Sequence, residues 1–395
     1  MTEANRLSIF FYPAWYPHRG DSMFGLFVKR HAEAVKLYAR VGVVFAFGEN
    51  RSEGPVYTLI FTEEDGIPTA RCYFRKCTLP LLGTLVNGFR FLSAQSKAKK
   101  SLVSAIGKPD VNHIHVLTRT GLSVYWQYIL NHTPYLITEH WTRYLPVNKG
   151  AYKGFFRILA GKMIVRKAFA VLPVSPRLSE AMQSYGLKNN NYRQVNNVVN
   201  TTMFRAIDKD LACKKWIHVS CFDEKQKYIS GLLNGFAEAR KSDASLFLTL
   251  VGEGPCWTEA KQQALALGLG PEAVLFTGIL EGERLSSEFQ KHDAFVLFSR
   301  YENQPVVIIE AFACGLPVLS TGVGSIPELL QDVRGIVIAS EDVHALTDSL
   351  LKMSKGDFHF SRAKIRQYAV DQFSFEAVGN QLSHLYLQAL EIQQK

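Results

Sequence analysis

The chain contains 395 residues, of which 47% are hydrophobic and 20% are charged. This balance excludes a disordered chain, and the length suits two domains of ordinary size. No apolar run reaches the roughly 18–20 residues that a membrane span requires, and the first residues lack the layout of a signal peptide. Because the six cysteines are scattered without metal-ligand spacing, we expect a cytoplasmic protein without disulfides and without a metal site.

The net charge of +10 is shared unevenly along the sequence. Residues 1–200 contain 26 lysines and arginines against 11 acidic residues, whereas residues 201–395 contain 19 against 24. This contrast predicts a domain boundary near residue 200 and an anionic partner for the first half. An anionic membrane surface or a lipid-phosphate acceptor is favoured over nucleic acid, because the basic residues are dispersed and no nucleic-acid-binding motif occurs. The alternative is that the charge serves solubility alone.

The first half of the chain alternates strand-like and helix-like segments. Residues 8–11 predict a buried strand, residues 26–40 a helix, and residues 41–47 a second strand. The loop before the helix is long and aromatic, and it ends at Gly25. Loops that follow parallel strands lie at the edge of the sheet where ligands bind, so this loop is a candidate ligand contact. A tight turn into the helix is the alternative.

Residues 79–105 mix apolar and aromatic residues with lysine and arginine. Two structures fit this pattern, namely a helix that lies in a membrane interface and a core-facing helix with a basic outer face. We prefer the second, because most such stretches are ordinary surface helices.

The alternation continues through the rest of the first half. Strands are predicted over 112–116, 135–138 and 170–175, and helices over 155–169 and 176–185 with Ser175 as the cap of the latter. His140 follows the strand over 135–138 and therefore lies at the ligand edge of the sheet. Its neutral imidazole could hydrogen-bond a sugar hydroxyl, and a purely structural histidine is the alternative.

The second half shows the same alternation. Strands are predicted over 216–220, 247–251 and 274–278, with a glycine turn at Gly252 and Gly254, and helices over 341–354 and 360–393. We place the linker between the halves at about residues 200–213.

The most regular part of the second half begins with residues 294–298, an unbroken apolar run that predicts a buried strand. We expect a helix that begins with Pro305 in its first turn, with Asn303 as its cap and Gly315 as its stop. A second buried strand over 316–320 and a glycine-rich loop follow. This succession predicts a βαβ unit.

Two glutamates, Glu302 and Glu310, flank the start of that helix. Helix N-termini and glycine-rich turns offer backbone N–H groups to phosphate, and carboxylates accept hydrogen bonds from the vicinal hydroxyls of a sugar. Together these groups predict a nucleotide-sugar pocket. The alternative is that Glu310 is a solvated helix residue and that the glycines only form turns.

An ordered motif joins these residues. Glu302 and Glu310 are separated by seven positions, Ala-x-Ala-Cys-Gly-Leu-Pro-Val begins at Ala311, and Gly-x-Gly-x-x-Pro-Glu begins at Gly322. This motif resembles the donor-site signature of the family-4 retaining glycosyltransferases. The resemblance implies an α/β protein with the GT-B fold, in which two Rossmann-like parallel-sheet domains face an interdomain cleft.

The resemblance also implies the division of the chain. Residues 1–200 would form the acceptor-side domain and residues 201–373 the nucleotide-sugar-binding domain. Residues 374–395 would form a C-terminal helix that returns to the first domain.

The resemblance implies a metal-independent enzyme that needs no cofactor. It would move a hexose-type sugar from a nucleotide-diphosphate sugar, with a UDP-sugar favoured, to an acceptor hydroxyl with retention of configuration. The acceptor would be a glycan or a lipid-linked molecule in polysaccharide, lipopolysaccharide or glycolipid synthesis. The protein would be cytoplasmic or peripheral on the inner face of the membrane.

The resemblance assigns roles to single residues as well. Glu302 and His140 would contact the donor sugar and are the catalytic candidates, and Glu310 would hold the ribose hydroxyls. The remaining donor-binding candidates are Gly25, Lys227, Gly252, Gly254, Asn303, Gln304, Pro305 and Val306.

The sequence departs from the family pattern at one position. Ser220 and Cys221 stand where the family carries an arginine that clamps the donor diphosphate. Lys227, with Lys225 as second choice, is predicted to supply the positive charge, although Arg offers phosphate a two-pronged contact that Lys does not. A solvated charged run is the alternative reading of Lys225 and Lys227. Two other functions stay open: a catalytically silent GT-B partner that binds a sugar nucleotide without turnover, and a nucleotide-sugar 2-epimerase.

Overall fold

The computed structural model describes residues 6–80, 82–148, 150–207, 213–331 and 334–393. The chain forms two compact units, one of Met1–Val198 together with Phe375–Lys395 and one of Val199–Ser374. The predicted boundaries are residues 200 and 373, and part of the predicted linker, residues 208–212, lies outside the described residues. Within the described ranges, no helix is long and apolar enough to cross a membrane. All six cysteines are free thiols.

The strands and helices follow one another in a regular α/β order. The strands are β1 (Ser8–Pro13), β2 (Arg40–Glu49), β3 (Tyr57–Glu64), β4 (Ile67–Arg75), β5 (Val111–His115), β6 (Tyr135–Glu139), β7 (Ala170–Pro173), β8 (Lys215–Val219), β9 (Phe247–Val251), β10 (Val274–Gly278), β11 (Ala294–Leu297), β12 (Val318–Thr321) and β13 (Gly335–Ile338). The helices are α1 (Leu26–Lys36), α2 (Leu82–Ile106), α3 (Thr120–Asn131), α4 (Phe155–Lys167), α5 (Pro176–Ser184), α6 (Glu224–Lys227), α7 (Ile229–Ser242), α8 (Trp257–Ala266), α9 (Gly282–Gln290), α10 (Val306–Ala313), α11 (Ile326–Leu329), α12 (Val343–Lys355), α13 (Arg362–Phe373) and α14 (Phe375–Gln393).

The first unit is built on a seven-stranded sheet in the order β3-β4-β2-β1-β5-β6-β7. Six of these strands run parallel, but the edge strand β3 pairs antiparallel with β4. A prediction of purely parallel strands is therefore wrong at this edge. The reason is a tight turn at Asp65 and Gly66, both of which have positive φ angles, and an Asp-Gly pair favours such hairpins.

Alternating side chains of β1 enter two separate cores, as the period of a strand requires. Phe10 and Tyr12 join one core, and Ile9 and Phe11 join the other. Helices α2, α3 and α4 lie side by side over the first core. Helices α1 and α14 pack together over the second, so the last helix of the chain belongs to the first unit.

The second unit is built on a six-stranded sheet in the order β10-β9-β8-β11-β12-β13, and all of its strand pairs are parallel. The strand order reverses between β8 and β11: β9 and β10 are added on one side of β8, and β11, β12 and β13 on the other. The corresponding reversal in the first unit lies between β1 and β5. In open α/β sheets, ligands bind beyond the carboxyl ends of the strands at such a reversal, the topological switch point.

Two local predictions in the second unit are wrong. Helix α10 begins at Val306, and Pro305 is the residue before its first turn, with no side-chain cap. Asn303 is not the cap of this helix, because Pro305 occupies the N-cap position. The Asn303 carbonyl accepts hydrogen bonds from the backbone N–H and the hydroxyl of Ser325, at 3.0 and 2.7 Å. The helical stretch predicted over 360–393 is divided at Ser374, whose backbone is extended, with ψ of 162°. Its second part, α14, corresponds to the C-terminal helix predicted over 374–395.

Candidate functional site

The switch point of the second unit carries a buried ion pair. Helix α6 follows β8, and the turn of residues 298–305 follows β11, so the pairing of these strands brings the two segments together. The Lys227 ammonium group contacts the Glu302 carboxylate, and the two residues are only 8% and 6% exposed. The Ser299 hydroxyl donates to the same carboxylate oxygen at 2.8 Å. The fold therefore joins two predicted site residues that are 75 positions apart.

Arg300, which the sequence interpretation did not consider, fastens α6 to this turn. Its backbone N–H donates to the Gln226 carbonyl at 2.7 Å, and its guanidinium lies 3.8 Å from the centre of the Tyr228 ring. Its Nε donates to Glu341 at 2.7 Å. Tyr228 itself has a positive φ of 47°. Such strained backbone persists only where surrounding contacts enforce it, as is common around ligand sites.

The glycine loop after β12 lies directly on the Glu302 turn. A Cβ atom added to Gly324 would stand 2.2 Å from the Glu302 carbonyl oxygen, and Gly324 has a φ of +60°. A side chain at Gly324 is therefore excluded by both contact and conformation. This glycine holds the loop against the residue that the sequence interpretation places next to the donor sugar.

The loops after β8 and β9 are also packed backbone against backbone. A Cβ on Gly252 would lie 1.9 Å from the Ser220 carbonyl oxygen, and one on Gly254 would lie 1.8 Å from that of Cys221. The Ser220 hydroxyl is engaged by His218 Nε2 at 2.8 Å. Burial lowers the pKa of His218 to about 4, so this imidazole is neutral at pH 7.

The remaining donor-site candidates lie around the start of α10. Glu310 is 3% exposed, which rules out the alternative of a solvated helix residue. Asn303 and Gln304 are also buried. Lys225 is exposed, whereas Lys227 is the lysine paired with Glu302.

The two candidates of the first unit lie near its own ligand edge. Gly25 is the residue before α1 and has a φ of 70°. His140 follows β6 as predicted, is 8% exposed, and has its Nδ1 3.1 Å from the Asn197 side-chain oxygen. Their roles in donor binding stay predictions.

His140 belongs to a buried cluster with His31 and His115, in which one ring nitrogen of each histidine lies within 4.8 Å of one ring nitrogen of the other two. Three imidazoles at this distance are a candidate metal site. Both ring nitrogens of His31 already face carbonyl oxygens, of Phe27 at 2.8 Å and Asn196 at 3.1 Å. A metal would displace one of these contacts, so the fit is incomplete.

The cluster escaped the sequence interpretation because its members come from three elements with no common spacing. Burial lowers the pKa of all three histidines. In the described part of the chain, His115 has no hydrogen-bond partner for either ring nitrogen. The cluster is therefore a group of neutral imidazoles behind the ligand edge.

Comparisons with known proteins bear on both units. Residues 213–355 match the family model described as glycosyl transferases group 1. A stretch of 186 residues, 44% of this chain, is 29% identical to N-acetyl-alpha-D-glucosaminyl L-malate synthase of Bacillus anthracis, and it covers 45% of that protein. The chain spans only 15% to 45% of the length of five curated relatives that it matches.

Solved structures resemble the whole chain. Sucrose-phosphate synthase from Thermosynechococcus elongatus has a TM-score of 0.72 and 20% identity, covering 98% of this chain and 100% of its own. Anabaena HepE, solved with UDP-glucose, has a TM-score of 0.68 and 17% identity, covering 97% and 100%. At this identity the likeness shows the fold alone, and it confirms the prediction of two GT-B-type α/β domains. The protein has the fold of the GT-B glycosyltransferases, and residues 213–355 of its second unit resemble the glycosyl transferases group 1.

Proposed function

We propose that this protein is a retaining glycosyltransferase that moves a hexose-type sugar from a nucleotide-diphosphate sugar to an acceptor hydroxyl. The observation that carries the proposal is the buried Lys227–Glu302 pair at the switch point of the group 1 domain. A diphosphate that leaves the sugar gains negative charge, and a nearby ammonium group stabilises that charge in the transition state.

In this proposal, donor binding gives both members of the Lys227–Glu302 pair new partners. Lys227 turns from Glu302 toward the diphosphate, and the released Glu302 carboxylate accepts hydrogen bonds from the hydroxyls of the sugar. Glu310 accepts from the ribose hydroxyls, and the backbone N–H groups near Val306 face the phosphates. We also propose that His140 contacts the donor sugar. No metal ion takes part in this scheme.

We expect the donor to be a UDP-sugar, because HepE, which shares the fold, is described in complex with UDP-glucose. The acceptor is a glycan or a lipid-linked molecule of polysaccharide, lipopolysaccharide or glycolipid synthesis. The excess of basic residues in the first half favours an anionic acceptor and peripheral association with the inner face of a membrane.

A silent sugar-nucleotide-binding partner is the second candidate. It is favoured by Ser220 and Cys221, which stand in place of a phosphate-clamping arginine, and by the engagement of Lys227 with Glu302. Turnover separates the two functions. A transferase releases free nucleotide only when acceptor is present, and a silent partner binds the donor without releasing nucleotide.

The first experiment is a thermal-shift screen against UDP-, GDP-, ADP- and TDP-sugars. A ligand that binds the native state raises the melting temperature by mass action. We expect a shift with UDP-sugars that is lost in Glu310→Ala. Glu288→Ala is the matched variant that keeps the shift, because Glu288 is a buried glutamate on α9 outside the donor-site motif. If no nucleotide sugar shifts the folded protein, the donor site assigned here is wrong.

A further inference from the structure

The first unit contains a cavity of about 520 Å³ at its own switch point. Its walls come from the loop after β1, the turn after β5, the segment after β6, and helices α2 and α4. Much of the lining is aromatic or aliphatic, including Trp15, Phe91, Trp141, Tyr152, Phe156 and Ile164. A largely apolar cavity at a switch point is the usual place for a small ligand.

The charged side chains of this cavity are all arginines. Arg119, Arg143 and Arg157 line it, and no acidic side chain does. Arg119 and Arg157 are exposed, and among the described residues neither has an ion-pair partner. Arginine presents planar pairs of N–H donors that match the oxygens of phosphate. The cavity therefore favours an anion with several oxygens.

Arg143 is held in place from the interior side. It is 5% exposed, its guanidinium stacks 4.1 Å from the centre of the Trp141 ring, and it donates to the Tyr144 hydroxyl at 2.7 Å. Its Nε has no hydrogen-bond partner in the part of the chain that the structure describes. The Tyr144 hydroxyl also donates to Glu139 at 3.4 Å, so contact with an anion in the cavity falls mainly to the exposed Arg119 and Arg157.

The wall beside Arg143 is rigid. Buried Glu139 accepts backbone N–H groups from Leu117, His140 and Trp141 at 2.9–3.0 Å. Val116, next to Leu117, has a φ of 67°, which a β-branched residue adopts only under constraint. Glu139 thus fixes the cavity wall, and it is not among the lining residues.

The cavity continues into an exposed apolar stripe on α4. Phe156 lines the cavity and is 83% exposed, and Phe155 and Leu159 beside it are also exposed. Residues 79–167 contain 13 lysines and arginines against two acidic residues. Exposed aromatic side chains among basic ones are typical of surfaces that meet anionic lipid.

We propose that this cavity binds the phosphate group of a lipid-linked acceptor, with the arginines on the phosphate and the apolar chain leaving along Phe156 and α4. The inference rests on the proposed function, which it deepens by naming the acceptor class. It also gives a role to the basic excess of the first unit: attraction of a phosphate-bearing lipid rather than solubility alone.

The test measures binding of farnesyl phosphate, inorganic phosphate and farnesol to the full chain by calorimetry, at concentrations below aggregation of the lipids. We expect farnesyl phosphate to bind at least tenfold more tightly than either of the others, since only it satisfies both the arginines and the apolar lining. Trp15 and Trp141 line the cavity, so their fluorescence should change with the same midpoint.

Two variants on one helix localise the binding. Arg157→Glu should weaken farnesyl phosphate binding at least tenfold. Arg166→Glu makes the same charge change on an exposed α4 residue outside the cavity, and should change binding less than twofold. Phe156→Ser should weaken farnesyl phosphate about fivefold without changing the melting temperature.

Three outcomes overturn the assignment. Equal binding of inorganic phosphate would identify a free-anion site, equal binding of farnesol would identify an apolar cavity only, and equal loss in both arginine variants would identify general surface attraction. The UDP-sugar thermal shift is measured in the same samples. If farnesyl phosphate fails to bind while that shift persists, only this inference falls. If the shift is absent while farnesyl phosphate binds, the proposed transferase function falls, and the cavity is a lipid-phosphate site without an acceptor role.

Discussion

The ligand edges of the two units handle charge in opposite ways. In the second unit, Lys227 is matched by Glu302, and the surrounding loops pack backbone against backbone. In the first unit, Arg119 and Arg157 have no ion-pair partner within the described ranges, and the buried ionisable groups behind the edge are mostly neutral histidines.

The difference shows how each edge can respond to an anion. A paired lysine must leave its carboxylate partner to bind an anion. Binding is therefore specific for a ligand that also offers the Glu302 carboxylate new hydrogen-bond donors. Unpaired arginines at an open rim attract an anion without any exchange. The same substitution of a cation should therefore have very different consequences at the two edges.

The largest effect is expected from breaking the buried pair. Lys227→Met leaves the Glu302 carboxylate buried without its cation, and loss of one partner of such a pair costs about 3–5 kcal/mol. We expect a clear drop in the melting temperature of the second unit, together with loss of the UDP-sugar shift.

The double variant Lys227→Met/Glu302→Gln removes the unpaired charge and should recover most of the stability but not the ligand shift. A Lys227→Met protein as stable as the wild type would show that the pair does not set the stability of this edge.

The next effect tests the backbone packing of the same edge. Gly324→Ala places a Cβ atom 2.2 Å from the Glu302 carbonyl oxygen. Overpacking of this kind typically costs about 1–3 kcal/mol in addition to the left-handed backbone penalty. Denaturant unfolding measures the loss of stability, and the UDP-sugar thermal shift measures the loss of donor binding. We expect both the free energy of unfolding and the thermal shift to decrease.

Gly356→Ala is the matched control, because Gly356 has a φ of +79° and nothing within 4 Å of an added Cβ. It should show the left-handed penalty alone. Equal losses in the two variants would mean that the contact with Glu302 is unimportant.

A third effect is the pH dependence of stability that the buried histidines of the first unit cause. Burial lowers the pKa of His31, His113, His115 and His140, so the unfolded chain binds more protons than the folded one below about pH 6.5. The contribution of these histidines to the free energy of unfolding is therefore fully present above that pH. It is lost on acidification, by up to about 1.4 kcal/mol per pH unit for each histidine.

His115→Leu should reduce this slope by the share of one histidine when unfolding is measured between pH 5 and 7. If stability rose on acidification, the histidines would be protonated in the folded state.

The smallest effect on stability is expected at the open rim. Arg157→Ala removes an exposed cation without an ion-pair partner in the described chain, and such surface changes usually stay within about 0.5 kcal/mol. Melting curves compared with those of Lys227→Met test the contrast directly. A loss of similar size in both variants would remove the distinction between the two edges.

Much of the fold followed from local patterns. The apolar run over 294–298 became β11, Ser175 caps α5 through its side chain, and Gly315 follows the end of α10 with a positive φ. These features depend on neighbours in the sequence, so the periodicity of burial and the preferences of single residues are enough to predict them. The Asp65–Gly66 turn carries such a signal too, because an Asp-Gly pair favours a tight hairpin.

The sequence by itself therefore determined the alternation of strands and helices and the place of the Glu302–Glu310 motif at a ligand edge. Only the tertiary structure decided that Lys227 pairs with Glu302, that three histidines from separate elements form one cluster, and that Arg143 and Arg157 face one cavity. It also placed Pro305, and not Asn303, at the N-cap position of α10. The physical reason is strand order: it brings distant residues together, and local patterns carry no record of which strands become neighbours.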